Sequence, residues 1–189
     1  MSGFQPDVAI AAMLYLIQKS GGVMDRYQLV KMMYWADKTQ LHRWGQTITG
    51  GTFSALPWGA VGSETLDLLN AAMGDPKQDH WLGEYAQRFL IVERAPTNTV
   101  KGRSSAEMRF LSRVAREILD EVHAEHGHYK PEERFDRMHE LATDKAYRTA
   151  WERLEKRQSG KRSEPMSLYD VAEDNENLLQ HLDIEAEPA

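Results

Sequence analysis

Residues 7–19 are apolar on nearly every side of a helix, with Val8, Ile10, Met13, Leu14, Leu16 and Ile17 spread around it and Gly21-Gly22 behind it as a stop. A helix with no polar face is a buried one, so this segment belongs in the middle of the fold. Asp25, with Gln28 three residues later, has capping-box spacing. It opens a second core helix that carries Leu29, Val30, Met32, Met33, Ala36 and Leu41 up to Gly45.

From Gln46 to Val61 the pattern changes to short β-favouring pieces. Thr47-Ile48-Thr49 and Thr52-Phe53-Ser54, with Gly50-Gly51 between them, read as a tight hairpin, and Pro57-Trp58-Gly59 then breaks regularity. Ser63 is placed to cap a helix with Leu66, Leu68, Leu69 and Met73, which Gly74-Asp75-Pro76 ends. Phe89-Leu90-Ile91-Val92 and the segment near Val100 supply a small sheet. Ser104 and Glu107 stand at capping-box spacing before Met108, Leu111, Val114, Ala115, Ile118, Leu119 and Val122, an amphipathic helix closed by Gly127. Pro131 suits the first turn of a helix through Phe135, Met138 and Leu141, and a further helix covers 144–156 with Tyr147, Trp151 and Leu154 inward.

These elements describe a mainly α chain with a small β element (α+β), a compact single-domain helical bundle with a short hairpin or sheet. The expected organisation is a domain over 1–156, a basic linker over 157–164 and a short helical element with an acidic tail over 165–189. The linker basics, Lys156, Arg157, Lys161 and Arg162, read either as a solvated connector or as a weak nucleic-acid contact. A net charge of −6 argues against phosphate neutralisation as the main task, so no strong nucleic-acid binding is expected. No apolar run is long enough for a membrane span and the start lacks a secretion signal, so the expected location is cytoplasmic, with no membrane partner. The absence of cysteine excludes disulfides and thiolate metal sites.

Three blocks in order resemble the Panacea, or SocA-like, antitoxin family, also described as phage-associated proteins of the GepA type. The first is Lys31-Met32-Met33-Tyr34-Trp35-Ala36-Asp37, and the second is Phe53-Ser54-Ala55-Leu56-Pro57-Trp58-Gly59-Ala60-Val61. The third runs from Ser104 through Met138-His139-Glu140 to Ala146-Tyr147-Arg148-Thr149-Ala150-Trp151, so that the resemblance covers about residues 8–155. Its motif positions are Lys31, Tyr34, Ala36, Asp37, Gly45, Ala55, Gly59, Val61, His139 and Trp151. Ala60 stands where the family usually has proline, which removes a φ constraint from the loop.

The resemblance implies a compact, mainly helical antitoxin, paired with a cognate protein toxin and neutralising it by direct binding. One branch instead delivers its toxin to an ATP-dependent protease. In the first block Met32, Met33 and Ala36 face inward, whereas Lys31, Tyr34 or Trp35, and Lys38 in part point elsewhere. Trp35, His42, Arg43, Trp44, Phe53 and Trp58 are the partner-binding candidates. A loop tryptophan can anchor a partner or plug its own core, and both readings stand for Trp44 and Trp58. His139 reads as a buried, hydrogen-bonded structural histidine.

No enzyme motif is found, and no catalytic residue, cofactor or metal ligand is assigned. The alternative is a metal-dependent hydrolase built on His123 and His126, with His128, Glu121 and Glu125 nearby, although the spacing lacks the His-Glu-x-x-His pattern of helical zinc proteases.

Overall fold

The computed structural model describes residues 3–94, 96–157, 160–173 and 175–186. Helix α1 (Pro6–Lys19) carries proline in its first turn, where no N–H is needed, and buries Ala9 to Leu14, Leu16 and Ile17, as an all-round apolar segment must. Strand β1 (Val23–Asp25) leads into α2 (Arg26–Trp44). Asp25 caps α2 by accepting the Gln28 N–H at 2.9 Å, and Gly45 closes it in a left-handed conformation. The cap is one-sided. The Gln28 amide does not turn back, but donates 2.8 Å to the carbonyl of His126.

The hairpin is displaced from its expected place. Its strands are β2 (Phe53–Leu56) and β3 (Gly59–Gly62), joined by Pro57-Trp58, with Ala55 opposite Ala60 and Leu56 opposite Gly59. Residues 47–51 form a loop because side chains take the backbone groups that a ladder would use. The Asp37 carboxylate accepts Thr49 N–H at 2.9 Å and Thr49 Oγ1 at 2.7 Å, while Thr47 Oγ1 accepts Gly50 N–H. Helix α3 (Ser63–Ala72) follows with Gly62 as its cap residue, so Ser63 is already inside the helix and its hydroxyl pairs with Ser54.

Helix α4 (His80–Gln87) was not foreseen, since only Ala86 in it is buried and no apolar stripe announces it. Strands β4 (Leu90–Val92) and β5 (Thr99–Gly102) form the expected small sheet, which β1 completes in the antiparallel order β1-β5-β4. The Ser104 to Glu107 segment is not a helix start. A short 3-10 turn at Met108–Phe110 precedes α5 (Arg113–His126), whose true cap is Ser112, accepting Ala115 N–H at 3.0 Å. Helices α6 (Pro131–Leu141) and α7 (Lys145–Arg157) are as read, with Pro131 at the first position, Tyr147 and Leu154 buried and Trp151 half-buried.

Beyond α7, β6 (Glu164–Met166) pairs antiparallel with β2, giving a second sheet of order β3-β2-β6. Then α8 (Leu168–Ala172) and α9 (Glu176–Ala186) pack Val171, Ala172, Leu178 and Leu182 against Tyr34, Leu41, Phe53 and Tyr147. The described residues thus form two apolar clusters. The larger gathers α1, α3, α5 and the first sheet, the smaller gathers the second sheet, α7, α8 and α9, and α2 contributes to both. No helix among the described residues is long and apolar enough to cross a membrane.

Candidate protein-binding surface

Because α2 has apolar layers on two sides, Gln28, Lys31, Asp37, Lys38 and Gln40 on it are enclosed rather than solvated. Lys31, Tyr34 and Lys38, expected to point partly outward, are buried. Lys31 Nζ donates 2.9 Å to the carbonyl of Ala60 in β3 and lies 5.1 Å from the centre of the Tyr27 ring; burial lowers its pKa to about 7. Tyr34 donates its hydroxyl to Asp144 at 2.7 Å, and its ring meets Phe53 edge-on. Lys38 Nζ bridges Asp144 at 2.8 Å and Glu173 at 2.6 Å. Asp37 holds the 47–51 loop, and burial pushes its pKa up to about 6 against the lowering effect of the Thr49 hydrogen bonds. These polar residues are therefore tethers that run from α2 to β3, to the 47–51 loop, to Asp144 at the head of α7 and to Glu173.

The remaining motif positions serve the same frame. Ala36, Ala55 and Val61 are buried, and Gly45 is the left-handed cap. Gly59 has φ +94°, and a Cβ there would stand 2.8 Å from the carbonyl oxygen of Ala142, the same oxygen that accepts the Ala60 N–H at 2.7 Å. That contact ties the hairpin turn to the end of α6. Trp151 stacks on Tyr147 with ring centres 5.6 Å apart and donates to Glu155.

The six partner-binding candidates separate. Phe53 is a core residue at 2% exposed, because strand alternation turns it and Ala55 inward and Met166 covers it from β6; it is withdrawn from the exposed set. Trp35 is half-buried between the two clusters, edge-on to His126. His42 Nε2 donates 2.6 Å to the carbonyl of Val171, and its own carbonyl accepts from Asn175, so the α8–α9 segment covers it. Arg43 forms an ion pair with Glu121 on the surface. Trp44 and Trp58 are open, at 62% and 63% exposed.

Only Trp58 of these two belongs to a cluster. Its ring meets Phe135 edge-on at 5.8 Å; Phe135 stacks on Tyr27 at 5.0 Å and on His139 at 5.9 Å with only 5° between planes. Tyr27 donates its hydroxyl to the carbonyl of Trp58 at 2.9 Å, which holds the turn in place. Phe135, one of the three apolar residues that mark α6 in the sequence, is 46% exposed. His139 is half-buried in this stack, and its buried Nδ1 has no hydrogen-bond partner among the described residues, which corrects the expectation of a hydrogen-bonded core histidine. Trp44 makes no aromatic pair among the described residues. The aromatic face thus joins the N-terminal turn of α2, the β2–β3 turn and one side of α6. Sequence spacing could find Trp58 alone, because the other members come from elements far apart in the chain.

His123 and His126 are turned to separate neighbours. His123 Nε2 lies 3.0 Å from Ser20 Oγ, whereas the buried His126 sets Nδ1 against the Tyr129 hydroxyl at 3.0 Å. Among the described residues no group of three or more His, Asp or Glu side chains is arranged to hold a metal ion.

A family model described as "Antitoxin SocA-like, Panacea domain" matches residues 29–144, more than half of the chain. The match takes in the tethered face of α2, the hairpin, and α6 with its aromatic side, and it ends at Asp144. No curated protein and no solved structure matches the chain.

Proposed function

This chain belongs to the family of SocA-like antitoxins with the Panacea domain, and on that premise we propose that it neutralises, in the cytoplasm, a cognate protein toxin by direct binding, making and breaking no bond. The observation that supports this reading is the aromatic face of Trp58, Phe135, Tyr27 and His139. Large aromatics at a partly exposed, prearranged surface are the side chains that most often dominate a protein interface, since they bury much area and lose little conformational freedom. Here Trp58 is held at its backbone by Tyr27, and its turn is held by the Ala60–Ala142 hydrogen bond.

The test begins with a gene beside this one whose expression is toxic unless the chain is present. With that toxin purified, Trp58→Ala is expected to weaken binding by at least about thirtyfold, the cost of truncating an anchor residue, with the unfolding midpoint unchanged. Full affinity of the Trp58→Ala chain would reject this face. Delivery to an ATP-dependent protease differs in outcome, since protection would then vanish in cells lacking the protease although the complex still forms.

A further inference from the structure

Beside the aromatic face, between the start of α2, the hairpin and α3, lies a cleft of about 200 Å³. This is smaller than the roughly 300–1,000 Å³ usual for small-molecule sites, and suits a single inserted side chain. Tyr27, Val30, Leu56, Trp58 and Leu66 give it apolar walls, and its only charged lining residues are Arg26 and Lys31. Neither forms an ion pair with a carboxylate among the described residues. The Lys31 ammonium, 1% exposed, uses one hydrogen bond, to Ala60, of the three it can donate. Arg26 donates to Asn70 at 2.5 Å, while its buried Nε has no hydrogen-bond partner among the described residues. The nearest acid in sequence, Asp25, has one carboxylate oxygen engaged with the Gln28 N–H.

An apolar cleft whose lining includes an enclosed lysine with no counter-charge among the described residues is complementary to one chemistry. We propose that this cleft receives an acidic side chain, aspartate or glutamate, projecting from an apolar segment of the protein partner, its carboxylate lying between Lys31 Nζ and Arg26 Nε and its flanking residues covering Trp58. The inference rests on the proposed use of the Trp58 face for binding the toxin. A carboxylate arriving beside Lys31 supplies acceptors for donors now without them and offsets the burial that depresses its ionisation, so the complex holds the lysine charged.

The test uses the full chain and small probes, so its outcome does not depend on any toxin. Blocked tripeptides, N-acetyl-Leu-Glu-Leu-amide and its Gln counterpart, are titrated to 10 mM while the Lys31 side-chain carbon and the Trp58 indole are followed by NMR. The Glu probe is expected to bind at least about tenfold more tightly than the isosteric Gln probe, as one charge-assisted pair implies, and to raise the pH midpoint of Lys31. Lys31→Met, which leaves Arg26 in the cleft, is expected to weaken the Glu probe and to shrink its advantage over the Gln probe, with the Trp58 shifts retained. Equal binding of the two probes by the native chain, no binding of either, or an unmoved Lys31 midpoint overturns the proposal. Tighter binding of N-acetyl-Leu-Leu with a free carboxylate overturns it in favour of a chain terminus. If the Lys31→Met chain does not fold, the Glu and Gln comparison on the native chain decides alone. Failure of toxin neutralisation with the Glu preference intact would instead refute the function proposed for the aromatic face.

Discussion

Replacing Asp144 by alanine removes three hydrogen bonds at once, and the structure allows the cost to be built up from them. Oδ1 accepts the Tyr147 N–H at 2.9 Å at the start of α7; losing such a cap costs roughly 0.5–2 kcal/mol. Oδ2 accepts the hydroxyl of the fully buried Tyr34, and a buried donor left without a partner costs roughly 1–3 kcal/mol. The same oxygen receives Lys38 Nζ, which keeps Glu173 at 2.6 Å and so stays paired. Together these come to roughly 1.5–5 kcal/mol, a range that overlaps the cost of breaking a buried charged pair. For a chain of this size that lowers the thermal midpoint by roughly 3–20 °C. Urea unfolding followed by tryptophan fluorescence and circular dichroism measures it directly, with Tyr34→Phe and the double variant completing a cycle. The coupling between the two sites should be at least about 0.5 kcal/mol. A loss below about 1 kcal/mol for Asp144→Ala, or strict additivity in the cycle, would refute the claim that this carboxylate joins α2 to α7.

Two further predictions address the turn and the C-terminal layer. Gly59→Ala forces both a left-handed backbone and a Cβ against Ala142, and should cost roughly 2–4 kcal/mol, whereas Gly74→Ala, with φ +76° and open space around its Cβ, carries the backbone strain alone. Equal losses at the two glycines, read from denaturation curves, would show that the approach to Ala142 is not a constraint. Stopping the chain after Lys156 removes β6, α8 and α9, uncovers Phe53 and Leu41, and leaves Lys38 with Asp144 as its only remaining acid partner. The shortened chain is expected to lose cooperative unfolding and protection together, and a soluble, cooperatively folded, fully protective product would overturn that expectation.

The elements that could be read from sequence are those whose signal is local. The all-round apolarity of α1, the Asp25 cap and Gly45 stop of α2, and Pro131 at the head of α6 each depend on residues within a few positions of one another. The misreadings have two causes. At residues 47–51 the β-favouring threonines are held in a loop by Asp37 from the preceding helix, and at Ser104 the cap spacing is right, but Ser112 is the residue that meets a helix start. Strand β6 carries proline and lies in a charged stretch, so nothing short of its pairing with β2 marks it as a strand. At the 47–51 loop and at β6 a tertiary partner decided between two locally acceptable conformations, whereas at Ser104 the competing cap is itself local.

The first sequence block shows how that limit bears on function. Lys31, Tyr34, Asp37 and Lys38 sit on a helix that two apolar layers enclose, where an unpaired polar group is costly. Each has a partner that no local rule could name, with Asp144 and Glu173 lying 106 and 135 residues from Lys38. Placing α2 with the wrong rotation or a shifted register would strand several of these groups at once, so they define one arrangement of the hairpin and of the α6–α7 junction against the helix. Lys31 reaches Ala60 beside the hairpin turn, and Tyr34 and Lys38 reach Asp144 just beyond α6. Those are the two elements that carry Trp58 and Phe135. The residues that make the family recognisable are thus largely enclosed, and under the proposed function they serve binding by holding the exposed aromatic pair at a set separation, with Lys31 and Val61 reaching the cleft beside it.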